Sequence, residues 1–207
     1  LSYIGYSPAS KPLTSADITD SIITSAKIVD GTIVNADINA SAAIDSTKLS
    51  GVQGKFESQL LHVRDEKSNG TAGGDFTSGA WQTRTLNTSL TNEISGASLS
   101  SNQIILPSGT YYIHASAGAY SVDRHKLKLR NTTDSSDTLI GTAEQCQNAG
   151  TVSNRSFVIG RFTIGAQKTF ELQHRCTTTI TGNGFGLSST FGTEIEVYAD
   201  VQIWKVA

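Results

Sequence analysis

Two patterns of apolar and polar positions divide this chain. From Leu13 the large apolar residues recur at every fifth position, at Leu13, Ile18, Ile23, Ile28, Ile33 and Ile38, and after one inserted residue the phase resumes at Ile44 and Leu49. A small residue precedes most of them by two positions: Ala16, Ser21, Ala26, Gly31, Ala36 and Ala42. A period of five is neither the 3.6 of a helix nor the 2 of a strand. One large apolar side chain contributes about 1.5–3 kcal/mol when buried, whereas ordering five residues costs about 1–2 kcal/mol each. A lone segment of this kind cannot hold itself together, so the row needs neighbours, from further coils or from other chains. Eight steps complete about two coils of a solenoid, too few for stable stacking. The expectation is an intertwined homotrimeric shaft over residues 13–52 with the isoleucine row toward its axis. Two alternatives stand beside it. One is a pentapeptide β-solenoid, whose acidic rows would use Asp17, Asp20, Asp30, Asp37 and Asp45 but are interrupted by Lys27 and Lys48; the other is a disordered linker.

Glycines at 51 and 54 close the five-residue phase, and a second pattern fills residues 53–207. Alternation of period two predicts strands over 60–67, 81–86, 103–106, 111–121, 125–130, 138–147, 156–164, 169–178 and 194–206, separated by turn-rich stretches such as 68–75. In the last strand Ile195, Val197, Ala199, Val201 and Ile203 share one face, with Glu196, Tyr198, Asp200, Gln202 and Trp204 on the other. Lys126, Lys128 and Arg130 alternate with Leu127 and Leu129, as in a strand wetted on one side. About nine strands without an intervening helix predict an all-β sandwich or jelly roll.

Composition narrows the function classes. The 207 residues carry a net charge of -2 and are only 16% charged, so broad electrostatic capture of nucleic acid or of an anionic membrane is not expected. No apolar stretch approaches the ~20 residues that span a bilayer, and no charged segment followed by an apolar one suggests a signal peptide. Cys146 and Cys176 fall in separate strands without a Cys-x-x-Cys spacing, which predicts two buried thiols, with a disulfide as the alternative.

The run Leu106-Pro-Ser-Gly-Thr-Tyr-Tyr-Ile-His-Ala-Ser-Ala-Gly-Ala-Tyr120 resembles the Pro-x-Gly-x-Tyr approach to a central strand in complement/tumour-necrosis-factor-type jelly rolls, which are characteristically trimeric. Together with 79–87, Asp123-Arg-His125, Gly160-Arg-Phe-Thr-Ile164, 168–176 and Gly184-Phe-Gly186, the chain is similar to C-terminal domains of tailed-bacteriophage fibre proteins, in which a five- or ten-residue repeat often precedes the head. Tyr3-Ile-Gly-Tyr-Ser-Pro-Ala9 resembles the start of many phage tail proteins. The resemblance implies a homotrimeric fibre exposed on a virion. Residues 1–12 would attach to other virion proteins, and the head would meet a bacterial surface glycan or protein receptor. It transfers no binding residue, because these motifs mark a scaffold.

Chemistry is sparse. His62, His114, His125 and His174 stand singly. His174 and Cys176 share a strand face and could form a metal or nucleophile pair, but with Phe170 and Leu172 they read better as a buried or trimer-facing row. Asp123, Arg124 and Glu171 could pair across subunits. No catalytic residue, metal site or cofactor is expected. Counting strand reversals gathers the loops 68–80, 107–110, 134–137 and 166–167 at one end, provided that 187–193 form a further strand. The receptor candidates are then the neutral and acidic loop residues Asn69, Thr71, Asp75, Asp134, Ser135, Ser136 and Gln167. Three other readings stand beside this one: a purely structural capsid or tail fibre, a glycan depolymerase, which needs an acidic pair, and a complement-type adhesion module, which usually follows a collagen-like stem.

Overall fold

The computed structural model describes residues 14, 18, 23–39, 42, 59–147 and 151–206. The chain separates into two compact units, Leu1–Gln53 and Gly54–Ala207.

In the first unit the five-residue period is a repeated turn. Backbone amides of Lys27, Thr32, Asp37 and Ala42 donate to the carbonyls of Thr24, Val29, Val34 and Asn39, at 2.8–3.0 Å, one bond per step. Alternate turns tighten into 3₁₀ geometry at Ser25–Lys27 and Asn35–Asp37, which is the ten-residue unit visible in the sequence. The small residues Ala26, Gly31 and Ala36 each take the third position of a turn, and Gly31 has φ +78°, which a type II turn requires there. The Asp37 carboxylate accepts a bond from the Val34 amide at 2.9 Å and closes its turn a second time. The first three turns are each followed by an isoleucine, Ile28, Ile33 and Ile38. Ile18, Ile23, Ile28, Ile33 and Ile38 are all 40–55% exposed. Leu13, Ile44, Leu49 and the 1–12 segment lie outside the described residues.

The second unit is all-β. Its strands are β1 (Gln59–Lys67), β2 (Gln82–Thr83), β3 (Thr88–Asn92), β4 (Ser98–Ser100), β5 (Gln103–Leu106), β6 (Gly109–Tyr120), β7 (Asp123–Asn131), β8 (Ser136–Cys146), β9 (Ser153–Ile164), β10 (Lys168–Cys176) and β11 (Glu196–Lys205). They form two antiparallel sheets, ordered β3-β1-β11-β6-β9 and β4-β5-β10-β7-β8, with β2 added to β10. The chain crosses between sheets after β1, β2, β3, β5, β6, β8, β9 and β10, which interleaves them into a jelly-roll sandwich. Between the sheets lie Leu61, Val63, Ile104, Leu106, Ile113, Leu127, Leu129, Leu172, Val201 and Ile203, all inaccessible to solvent. These are the inward positions of alternating strands.

The ends of the sandwich differ. At the base β1 begins and β11 finishes, and there the Tyr111, Phe162 and Phe170 rings pack at 5.4–5.5 Å. Tyr111 donates to the Pro107 carbonyl at 2.7 Å, which gives the Pro-x-Gly-x-Tyr run a physical basis: the tyrosine hydroxyl is buried and closes back on the turn that precedes its strand. At the opposite end, the tip, the loops 68–81 and 177–195 meet.

The structure corrects the sequence reading in three places. Residues 88–92 and 98–100 are strands that the alternation did not reveal, and 187–193 form none. Tyr198 is a bulge: Asp65 pairs Ala199 but Glu66 pairs Val197. The side-chain phase therefore flips, placing Glu196 and Tyr198 inside and leaving Ile195 exposed, while Ala199, Val201 and Ile203 keep the inward face. Finally, the additional short reversal at β4 inverts the count of strand ends downstream of it. Connections 107–108 and 165–167 and hairpin 132–135 lie at the base, not beside loop 68–81 at the tip. Val206 nonetheless returns to the base, its amide donating to Thr110 at 2.8 Å, because the absent strand at 187–193 cancels the missed one.

Candidate functional site

The seven loop candidates do not form one site. Asn69, Thr71 and Asp75 belong to the tip, whereas Asp134, Ser135, Ser136 and Gln167 belong to the base. Those at the tip are used internally. Asn69 Nδ2 donates to the carbonyls of Phe191 and Glu194 at 3.2 and 3.0 Å, the Thr71 carbonyl accepts from the Tyr198 hydroxyl at 2.8 Å, and Asp75 accepts from the Gly182 amide. At the base, Asp134 accepts from Lys168 Nζ at 2.6 Å and Asn131 Nδ2 at 2.9 Å, and the Lys168 bond is the main reason that its pKa lies below the ordinary value. Ser135, Ser136 and Gln167 remain exposed.

Behind the tip lies a buried polar cluster. The row Phe170, Leu172, His174 and Cys176 faces the interior, and all four are 3% exposed or less. His174 Nε2 lies 2.9 Å from His125 Nδ1, and His125 Nε2 lies 2.6 Å from Asn154 Oδ1. Asn154 Nδ2 donates to the Gln145 carbonyl, which turns its oxygen toward the histidine. One arrangement of protons satisfies this chain: His125 donates from Nε2 and accepts at Nδ1, His174 donates from Nε2, and His174 Nδ1 is a bare acceptor. It has no partner. Burial, then the positive field of Arg84, holds His174 well below the ordinary histidine value, and burial likewise lowers His125. Both rings are neutral at pH 7. Arg84 itself is inaccessible, with Nη2 3.7 Å from Asp65 Oδ2 and its guanidinium 4.0 Å above the Phe185 ring.

This cluster is enclosed within the core of the head. The two cysteines are free and buried, and burial pushes the Cys176 thiol up to about 11, so the nucleophilic thiolate is not its form at neutral pH. Among the described residues, no three of His, Cys, Asp and Glu converge as metal ligands. Asp123 and Arg124 pair within the chain at 3.6 Å, and Glu171 accepts from Thr83, Gln103 and Gln173 at 2.7–2.9 Å. No helix among the described residues is long and apolar enough to cross a membrane.

Among the described residues of the head, three surfaces are open. On the outer face of the five-stranded sheet Tyr112 packs against Trp204 at 6.1 Å, His114 stacks on Phe157 at 6.1 Å, and Ile159 is half exposed. Beside them Asp200 Oδ2 accepts from Arg64 Nε at 2.6 Å and lies 3.0 Å from His62 Nε2. Burial alone would raise the Asp200 carboxyl; these two bonds outweigh it and hold it below its ordinary value. On the other sheet, at its tip end, a cleft of about 490 Å³ opens beside Trp81, whose ring is capped by Lys128 Nζ at 4.3 Å. A smaller cleft of about 280 Å³ lies by Arg155 and Tyr198.

The strand order defines the class of this unit, an interleaved two-sheet jelly roll. No protein-family model and no curated protein matches the chain. Among solved structures it is similar to the globular domain of zebrafish complement 1qA protein, with TM-score 0.45 and 16% identity over 73% of this chain and 98% of that one. It is also similar to murine APRIL at pH 5.0, with TM-score 0.46 and 10% identity over 72% and 99%.

Proposed function

We propose that this chain is a homotrimeric bacteriophage virion fibre whose jelly-roll head attaches to a glycan on a bacterial surface, without cutting it. The observation that carries the reading is the isoleucine row. One turn per five residues precedes Ile28, Ile33 and Ile38, and Ile18, Ile23, Ile28, Ile33 and Ile38 are each at least 40% exposed in a single chain. Regular, repeated apolar exposure of this kind calls for identical partners around an axis. The Tyr112, Trp204, Phe157 and Ile159 face supports the same assembly in the head, since an exposed aromatic sheet face suits burial against a second copy. Avidity then multiplies weak contacts made by each head.

Native mass measurement of the full chain tests the assembly. Three copies of a 21.9 kDa chain give about 66 kDa, and a stable monomer overturns it. Binding of the purified fibre to bacterial cells, with competition by their surface polysaccharide, tests the role. A trimer that binds no cell surface is a purely structural fibre, and release of sugar products from the polysaccharide identifies a depolymerase.

A further inference from the structure

The cleft beside Trp81 is assembled from three strands and one loop end. Trp81 stands one residue before the pair Gln82–His174, which sets it over the edge of β10, while β7 supplies Arg124 and Lys126 and β8 supplies Glu144 and Gln145. Arg175, opposite Lys126 in the ladder, completes the wall. The indole is half-buried, and Lys128 Nζ, itself paired with Asp137 at 2.9 Å, packs on it from the far side. Trp81 is therefore held by Lys128 as a plate that lines the cleft.

The charges beside the plate are unbalanced. Arg124 has a partner in Asp123, at 3.6 Å. Lys126 and Arg175 meet no carboxylate and no side-chain acceptor among the described residues, and Glu144 is the one acid in the wall. Two unpaired cations against one carboxylate leave one unit of positive charge, on a chain whose net charge is -2. The cleft of about 490 Å³ falls within the roughly 300–1,000 Å³ typical of small-ligand pockets. An aromatic plate, a single excess positive charge with an arginine fork, and a neutral acceptor in Gln145 Oε1 match one ligand chemistry.

We infer that this cleft binds a carboxylate-bearing sugar unit of a surface polysaccharide. Trp81 takes the apolar C–H face of the pyranose, Arg175 and Lys126 take the carboxylate, and Gln145, whose Nε2 is held by Asp123 at 2.9 Å, accepts a hydroxyl at Oε1. This rests on the glycan-attachment reading and adds the site and the acidic character of the sugar.

The test is titration of the full-length chain with a glucuronate-containing oligosaccharide, its carboxyl-reduced form, a neutral dextran oligomer and inorganic phosphate. The readouts are calorimetry and tryptophan fluorescence. The expected result is binding of the glucuronate probe alone, with a fluorescence change that persists in Trp204→Phe and is lost in Trp81→Phe. Lys126→Gln and Arg175→Gln, both on the solvent side of the sheet, should each weaken binding about tenfold, the loss of one charged hydrogen bond, with thermal stability unchanged. Equal binding of phosphate, or glucuronate binding indifferent to both substitutions, overturns the inference. Binding of neutral dextran that ignores both substitutions overturns the cleft while leaving glycan attachment standing. Binding of no saccharide overturns the cleft, and the cell-binding assay then decides the attachment reading separately.

Discussion

Replacing Arg84 with methionine removes a charge from a fully buried position in the head while keeping most of its volume. Arg84 Nη1 and Nη2 reach the carbonyls of Gly118, Tyr198 and Phe185 at 3.2–3.4 Å, and Nη2 lies 3.7 Å from an Asp65 carboxylate that is 1% exposed. Burial lowers the Arg84 pKa to about 9, so the guanidinium is charged at neutral pH. The substitution leaves three carbonyls without this donor and a buried carboxylate whose remaining cation, Lys67, stands 3.8 Å away and is partly in solvent. Removing one partner of a buried ion pair costs about 3–5 kcal/mol. Domains of this kind hold only about 5–15 kcal/mol in total, and each kcal/mol moves the midpoint by about 2–4 °C at this size. The expected loss in Tm is about 6–20 °C. Urea unfolding of Arg84→Met, Asp65→Asn and the double variant measures it as a cycle, and the double variant should recover part of the loss because no charge is left stranded. A loss under about 1 kcal/mol for Arg84→Met, or strict additivity in the double variant, would refute the account.

Other measurements probe the same region. His125 and His174 have pKa values lowered by burial, so below pH ~6.5 the unfolded chain binds protons that the folded chain refuses, and stability falls as pH falls. Each histidine contributes at most about 1.4 kcal/mol per pH unit, so unfolding free energies from denaturant titrations at pH 7.5 and 5.5 should differ by up to about 2.7 kcal/mol; no difference would count against neutral buried rings. A Cβ on Gly184 would lie 2.6 Å from the Ile180 carbonyl oxygen and 2.7 Å from Phe76 Cβ. Gly184→Ala should therefore cost about 1–3 kcal/mol, read as a lower midpoint at unchanged denaturant slope, and a wild-type midpoint would contradict the close packing. Cys146 and Cys176 should resist iodoacetamide in the folded protein and both react in denaturant; rapid labelling under native conditions would disprove their enclosure.

Most of the long strands were legible because their inward residues repeat at period two over an uninterrupted span, as in Leu127 and Leu129 or Val201 and Ile203. Strands β3 and β4 were not, because an edge strand of five residues and a strand of three carry little alternation; Leu90 even points outward, 46% exposed. That omission misassigned loop ends, and so the receptor candidates were divided between base and tip. The Arg84–Asp65 pair did leave a trace. Asp65 continues the inward phase of Leu61 and Val63, and Arg84 shares the phase of Leu86. An acid and a base each standing where an apolar residue is due is the signature of a buried pair. The Trp81 cleft left none, because it exists only once β2 has added to β10, a pairing of two residues that no periodicity announces.

The tip shows why a binding surface could be built there on loops. Loop 68–81 and the 177–195 segment are joined by backbone bonds, Gly73 to Gly186, Gly74 to Gly182, and Phe76 to Ile180 in both directions. Glu196 accepts from the Ser189 and Thr190 amides at 3.0 Å and ties the segment to β11. Below them Phe76, Phe185 and His174 pack ring against ring at 4.4 and 4.7 Å, with Arg84 beneath Phe185. Polar groups that would be costly in an apolar core thus fix the loops that an apolar core alone would leave free, and Trp81 inherits that rigidity from the loop it ends. A ligand meeting such a surface orders few side chains on binding. The buried pair and the surface cleft are accordingly coupled: loosening Arg84 should weaken glucuronate binding as well as stability, and a destabilised Arg84→Met that bound the sugar at full affinity while folded would separate the two.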